Sequence, residues 1–302
     1  MNLRTFAMTI LLSVSAMADE ITISGPTMGL VYTGGAFRPV LGFPGAAYVG
    51  GVLALDFTPD NVMIAPEQSF ALAMSAGKLV LIDASKGKLV VRDVPGITDA
   101  ANAWFSPAGK SAVLISTDGL HARLLTGLPG HPGVSAQFVL NDIAVIAAVS
   151  EDARFAITVS STGVVSQWDG DGHLRGAVPM GDVVALQFYN RSGDALLASR
   201  SNKQLFKLRE SGDVVPIQAI DAIAVATSAD DSILVAVSSD GSIQTLRENG
   251  ESTGTYTSPI AATRLQRMGG ILRLNDYGKG PLAVFDGSQA MLIPPAKDGG
   301  DQ

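Results

Sequence analysis

Ser228–Glu251 reads SADDSILVAVSSDGSIQTLRENGE, and its grammar decides the fold. Ser232 to Ser238 is a short run of β-branched and small apolar residues, and Ser242 to Arg247 alternates apolar with polar, so both are strand signals. Between them Ser239-Asp240-Gly241 supplies a carboxylate able to cap its own turn and a glycine that accepts positive φ. The result is a β-hairpin, flanked by further turns at Asp230-Asp231 and Glu248-Asn249-Gly250 and preceded by the small apolar strand Ile223 to Thr227.

The unit recurs. Aligned on the turn before its second strand, it returns at Ala65-Pro66-Glu67-Gln68, Ser106-Pro107-Ala108-Gly109, Ser150-Glu151-Asp152-Ala153, Asn190-Arg191-Ser192-Gly193, Ser228-Ala229-Asp230-Asp231 and, weakly, Gln266-Arg267-Met268-Gly269. The intervals are 41, 44, 40, 38 and 38 residues, and a period near 40 with several short strands per unit is that of a propeller blade. The strands that follow (FALAMS, SAVLIS, RFAITVS, DALLASR, SILVAVS, GILRLN) and the tight turns after them agree as well. No stretch carries a sustained apolar stripe at helical spacing, so helix content is expected to be very low.

In this pattern the chain resembles the WD40-like and YVTN-like bacterial β-propellers over roughly Ile21 to Pro295. The shared features are a Ser-Pro-x-Gly-like turn, an apolar strand, a glycine turn and a strand ending near Asp, as in Trp168-Asp169 and Phe285-Asp286. The Gly-His and structural Asp of true WD40 repeats are missing from most units. The resemblance implies an all-β propeller of four-stranded antiparallel blades, and the repeat count sets their number at seven, with six blades as the alternative.

Length agrees with seven. Met1 to Glu20 carries Arg4, an apolar run from Phe6 to Val14 and the small-x-small ending Ala16-Met17-Ala18, which predicts a signal peptide over 1–18 and a mature chain from Asp19. The apolar run is well short of the roughly 18 residues a membrane span needs. The remaining 284 residues divided by about 40 give seven units. The first, with Leu30 to Thr33 and Phe37 to Leu41 around Gly34-Gly35, reads as a blade short of a strand and completed by closure of the chain. The propeller domain is placed at 19–296 and a disordered tail at 297–302. Small residues in the inner strands (Ala144, Ala147, Ala148, Ala222, Ala224 and Ala226) fit a crowded hub.

Composition narrows the function classes. The leader implies a periplasmic or secreted protein, and no cysteine is present for disulfides or thiolate metal sites. Without the leader the balance is 20 basic against 28 acidic residues, a charge of 20 − 28 = −8, which disfavours nucleic acid and anionic membrane surfaces as partners.

Motifs with catalytic potential are few. Trp104 to Ser111 ends in GKS, yet the first glycine of a P-loop falls on Trp104 and no helix follows. Asp169-Gly170-Asp171-Gly172-His173 has carboxylates at i and i+2 but lacks the rest of a calcium loop, so a plain turn is expected. His121, His131 and His173 lie in different units, which gives no zinc motif, and no G-x-S-x-G elbow occurs. His131 sits in the rigid loop Gly127 to Gly133, and Asn190-Arg191-Ser192 is a sequon already explained by the repeat. Trp104, Trp168, Phe155, Phe188 and Phe206 read as blade core.

No catalytic residue, metal ligand or cofactor is therefore assigned. The leading reading is an exported, non-enzymatic scaffold that binds a protein or small molecule of unspecified identity. Asp118, Arg200, Asn202, Lys203, Asp240, Tyr277 and Lys279, in equivalent hairpins on one rim, are the candidate contact surface. Resemblance to YVTN-like lactonases supplies the alternative, hydrolysis at a central metal held by acids on the inner strands. A third possibility is a subunit of an envelope complex.

Overall fold

A computed structural model describes residues 26–85, 88–278 and 280–295, and its described elements are all strands, with no helix among them. They form seven antiparallel sheets, six of four strands and a first of three, each built from consecutive strands. Blades 1 to 7 occupy residues 27–49, 61–93, 100–139, 144–179, 183–219, 222–257 and 266–293. The architecture is a seven-bladed β-propeller, with the first strand of blades 2 to 7 facing the hub. The predicted leader and the 297–302 tail lie outside the described residues.

Each blade twists and presents an apolar face on either side, so its neighbours must cover both. The buried side chains accordingly fall into clusters that straddle the seams. Phe70, Leu72 and Leu81 of blade 2 pack on Ala112, Leu114 and Leu125 of blade 3, while Ala122, Leu124 and Phe138 of blade 3 pack on Ala147, Ala156 and Trp168 of blade 4. Leu30 and Phe37 of blade 1 meet Ala71 and Val80 of blade 2, and Val31, Val40 and Val49 meet Met268, Leu282 and Val284 of blade 7. Full burial of one such Phe or Leu contributes about 1.5–3 kcal/mol. The inner-strand alanines at 144, 147, 148, 222, 224 and 226 are all buried where blades converge.

The recurring turn has a common build. Gln68, Gly109, Ala153 and Asp231, fourth in their tetrads, all have left-handed φ of 63°, 80°, 56° and 63°. In each the fourth N–H donates to the carbonyl of the first residue, at 2.9 to 3.1 Å. The leading serine adds a second tie, since Ser106, Ser150 and Ser228 Oγ accept from the N–H five residues on. The weak sixth alignment is corrected: Gln266–Met268 is itself the innermost strand of blade 7, and the turn comes at Gly269-Gly270.

Blade 1 closes the ring in a way the sequence did not show. Gly34-Gly35 joins its first two described strands just as Ala76-Gly77 and Asp240-Gly241 join second to third strands elsewhere. Thr27–Thr33 therefore stands second from the hub, and the innermost place is not filled by a described strand. Completion by chain closure falls on chain ends outside the described residues: the last described strand, Ala290–Ile293, pairs with Leu282–Phe285 of its own blade, and just beyond it Pro294 O accepts from Val49 N of blade 1 at 3.5 Å. Blades 7 and 2 also meet directly. Gln266 Nε2 donates to Ile64 O at 3.1 Å, Gly269 N to Pro66 O at 3.4 Å, and Gln68 Nε2 to Arg267 O at 2.9 Å. Gln68 Oε1 also accepts from the buried Leu30 N–H at 3.0 Å, so one amide joins three blades. A Cβ on Gly29 would stand 2.4 Å from Met268 Cγ and 2.9 Å from Gln68 Oε1, so this seam has no room for a side chain there.

Gln68→Ala should lower the free energy of unfolding by about 1–3 kcal/mol, the cost of leaving the Leu30 N–H buried without a partner. Chemical denaturation measures it, and an unchanged midpoint would contradict the role given to Gln68. A second expectation concerns acid. Asp118, Asp142, Asp230 and Asp240 are held below the ordinary carboxylate range, foremost by the hydroxyls of Ser116, Thr162 and Ser228 for the first three and by the Ser242 N–H for Asp240. Depressed folded-state values mean that this stabilisation is fully present above the unfolded value of about 3.9 and is lost as pH falls through the folded ones. Melting temperatures should hold from neutrality to about pH 5 and fall below about pH 4, and replacing the four by Ala should lower the neutral value while flattening the acid limb.

Candidate functional site at the hub

The hub contains a cavity of about 540 Å³ lined chiefly by the innermost strands of blades 2 to 7. Its wall is apolar at Met63, Trp104, Leu186 and Val225, and polar at Tyr32, Asn61, Asn102 and Gln187. Trp168, Phe155 and Phe188 are buried in the blades as expected, with Trp168 Nε1 donating to Thr158 Oγ1 at 3.0 Å. Phe188 also lines the cavity, as does Trp104, which is half-buried and packs on the blade 3–4 seam.

The charged groups among the described lining residues are Arg264, Arg267, Arg273 and Asp276, all from blade 7 or the segments beside it. Arg267 crosses the turn-side end of the hub. Its Nη1 donates to Asn190 Oδ1 at 2.6 Å and Pro107 O at 3.4 Å; Nη2 donates to Thr227 O at 2.7 Å, Ser228 O at 2.8 Å and Thr227 Oγ1 at 3.2 Å. Those acceptors belong to blades 3, 5 and 6. The planar guanidinium suits the task, since it offers five N–H donors in a fixed fork. Burial pulls its pKa down, and the charges of Asp231 and Glu151 oppose that. Both carboxylates are tied into neighbouring turns: Asp231 accepts from Asn190 N and Arg191 N at 2.9 and 3.0 Å, and Glu151 Oε2 from Ala108 N at 2.7 Å.

At the other end lie Arg264, Arg273 and Asp276. Arg264 Nη1 is ion-paired to Asp276 Oδ1, and Arg273 Nη2 approaches the same oxygen at 3.5 Å. Arg273 is 8% exposed, and its Nε is buried without a hydrogen-bond partner. Burial pushes its pKa down to about 10, with repulsion from Arg264 acting in the same direction and Asp276 against it. Three arginines thus join the small side chains that the sequence led one to expect at the hub, with Arg267 on the inner strand of blade 7 and Arg273 on its second strand. A signal for Arg267 existed: Met63, Trp104, Ala148, Phe188 and Ala226 hold the next-to-last place before the turn in other units, and Arg267 is the charged residue in that apolar column.

The expected rim residues stand apart from this site. Asp118, Arg200, Asn202, Lys203 and Asp240 occupy or flank the turns between second and third strands of blades 3, 5 and 6, and Tyr277 lies in the longer connection of blade 7. Lys279 lies outside the described residues. Asp118 accepts from Leu120 N at 2.8 Å, Asp240 from Ser242 N at 2.9 Å, and Asn202 Nδ2 donates to Met180 O at 3.1 Å. Arg200 reaches Asp182 at 3.8 Å. None of the six lines the hub cavity.

The remaining motifs are structural in their contacts. Gly109-Lys110-Ser111 belongs to a blade turn. Candidate ligand atoms of Asp169, Asp171 and His173 lie within 4.8 Å of one another, but Asp169 Oδ1 closes its own turn by accepting from Asp171 N at 3.0 Å and His173 N at 2.8 Å. The Asn190 amide is engaged on both atoms in the hub, accepting from Arg267 and donating to Ser228 O at 2.9 Å.

No family model matches the sequence, and no curated protein matches it. Solved structures do. A functionally unknown protein from Desulfotomaculum acetoxidans DSM 771 superposes with a TM-score of 0.62 at 13% identity, over 87% of this chain and 96% of that one. Saccharomyces cerevisiae Sqt1 gives a TM-score of 0.57 at 11% identity, over 91% and 89%, and Kluyveromyces lactis Hsv2 gives 0.56 at 15% identity, over 74% and 71%. At such identities the likeness shows the seven-bladed β-propeller fold alone.

Arg267→Ala should destabilise the protein by about 3 kcal/mol or more, because several buried acceptors from three blades lose their donor together. Arg267→Lys should recover only part of this, since an ammonium cannot reproduce the fork. Equal melting temperatures for wild type and Arg267→Ala would show that the residue is not a structural tie.

Proposed function

We propose that this chain is an exported β-propeller of the WD40-like or YVTN-like repeat type, acting as a binding scaffold in the periplasm or outside the cell rather than as an enzyme. The observation that carries this reading is the charge of the hub. A hydrolytic propeller of the lactonase kind needs converging carboxylates to hold a hard cation. Here the charged residues described in the lining are three arginines and one aspartate, a field that repels divalent metal. Arg267 further ties five blades at the turn-side end, which favours a rigid platform with access from the opposite face. The acidic balance supports a partner other than nucleic acid, and no helix among the described residues is long and apolar enough to cross a membrane.

Metal analysis of the purified protein together with a lactone- and ester-hydrolysis screen tests the reading. Sub-stoichiometric metal and no turnover are expected. One calcium per chain, or turnover abolished by a chelator, would replace the scaffold with a hydrolase. Mass spectrometry of the protein recovered from the periplasm or medium should find a chain starting at Asp19; full-length chain retained in the cytoplasm would refute export.

A further inference from the structure

We infer that the open mouth of the hub, at Arg264, Arg273 and Asp276, is a binding site for an organic carboxylate with an apolar body. Among the described residues two guanidinium groups converge on one oxygen of one carboxylate, Asp276 Oδ1, an excess of one positive charge over the carboxylate they share. The two arginines are unequal. Arg264 is 42% exposed on its side chain, whereas Arg273 is 10% exposed, its described hydrogen bonding is the long contact to Asp276, and its Nε has none. A buried cationic donor without a full set of acceptors is costly, and a carboxylate that accepts in bidentate fashion is the group that best matches its fork.

The rest of the cavity specifies what the carboxylate is attached to. At about 540 Å³ the space is in the range of small-molecule pockets, and beyond the arginines its wall passes to Met63, Trp104 and Leu186. An inorganic anion would leave that apolar wall uncovered. An acyl or aryl carboxylate places its charged end on Arg273 and Arg264 and its body against the indole and the aliphatic side chains. Asn61 and Asn102 border the site as neutral groups, with Asn61 Nδ2 held by Ala101 O at 2.7 Å. The same chemistry has a second source in the chain itself: Asp19 and Glu20, which lie outside the described residues.

The inference rests on the binding-module reading only in that the ligand is held and not turned over, so the two fail separately: hydrolysis would end the scaffold reading, and loss of carboxylate binding would leave it intact. Calorimetry of the purified protein with octanoate and with phenylacetate should show one saturable site. Octanamide, of the same shape without the charge, should bind at least tenfold more weakly. Arg273→Met and Arg264→Gln should each weaken octanoate at least tenfold while keeping a cooperative melt, which makes a folding defect in either one visible. Equal octanoate affinity in wild type and in D19N/E20Q assigns the site to a free ligand; binding that appears or tightens tenfold only in D19N/E20Q assigns the carboxylate to the chain's own residues. No saturable carboxylate binding in either protein, or equal binding of octanamide, overturns the inference.

Discussion

A four-stranded sheet of this composition has two greasy faces and cannot shield either one alone. Everything in the molecule follows from covering those faces with a neighbouring sheet. Leu124 and Phe138 of one blade bury themselves in the next, Trp168 of that blade lies against Phe138 with ring centroids 4.9 Å apart, and the pattern repeats until the circle is complete. A ring also removes the exposed inter-sheet surfaces that an open stack of blades would leave at its two ends. The alanines of the inner strands are a geometric corollary, because wedge-shaped units leave least space at the centre.

The hub shows how polar chemistry is superimposed on that packing. Backbone carbonyls at the ends of inner strands point toward a region with little solvent and need donors. Arg267 supplies several at once, and Asn190 and Asp231 complete the arrangement. The long charged side chain is thereby made part of the frame. Arg273, at the opposite end, has the same burial problem without the same answer, and that contrast separates an arginine built into the frame from one whose Nε is left without an acceptor.

The sequence carried the fold because the features that define a blade are local. Ser150 capping Phe155 N–H, Asp240 closing a hairpin and the alternation in Ser242–Arg247 each involve residues within a few positions of one another. Five of the six aligned turns fall between first and second strands for that reason. The sixth drifted because Gln266-Arg267-Met268-Gly269 has no serine and no acidic residue to anchor it. The hub was much less legible. Gln68 bonds to residues 38 and 199 positions away, and Arg267 to one 160 away, so no window along the chain contains both partners. The polar tetrads looked like ordinary solvent-facing turns, and nothing nearby indicated that one amide in them joins three blades. Repeat reasoning averages over units, and the charged residues of the hub are the ones in which blade 7 departs from the average.

Direct contact between blades 7 and 2 also bears on how the ring is fastened. Where the final strand of a ring is shared between the first and last sheets, the circle has a woven lock. Here side-chain amides act as a clasp, with Gln266 on Ile64 and Gln68 on Leu30 and Arg267. The clasp acts beside apolar packing, with Leu30 and Phe37 of blade 1 set against blade 2 and Val31, Val40 and Val49 against blade 7. Gln266 and Arg267 border the central cavity as well, so the residues that fasten the ring are also part of the wall of its central space, and a change in either one alters both.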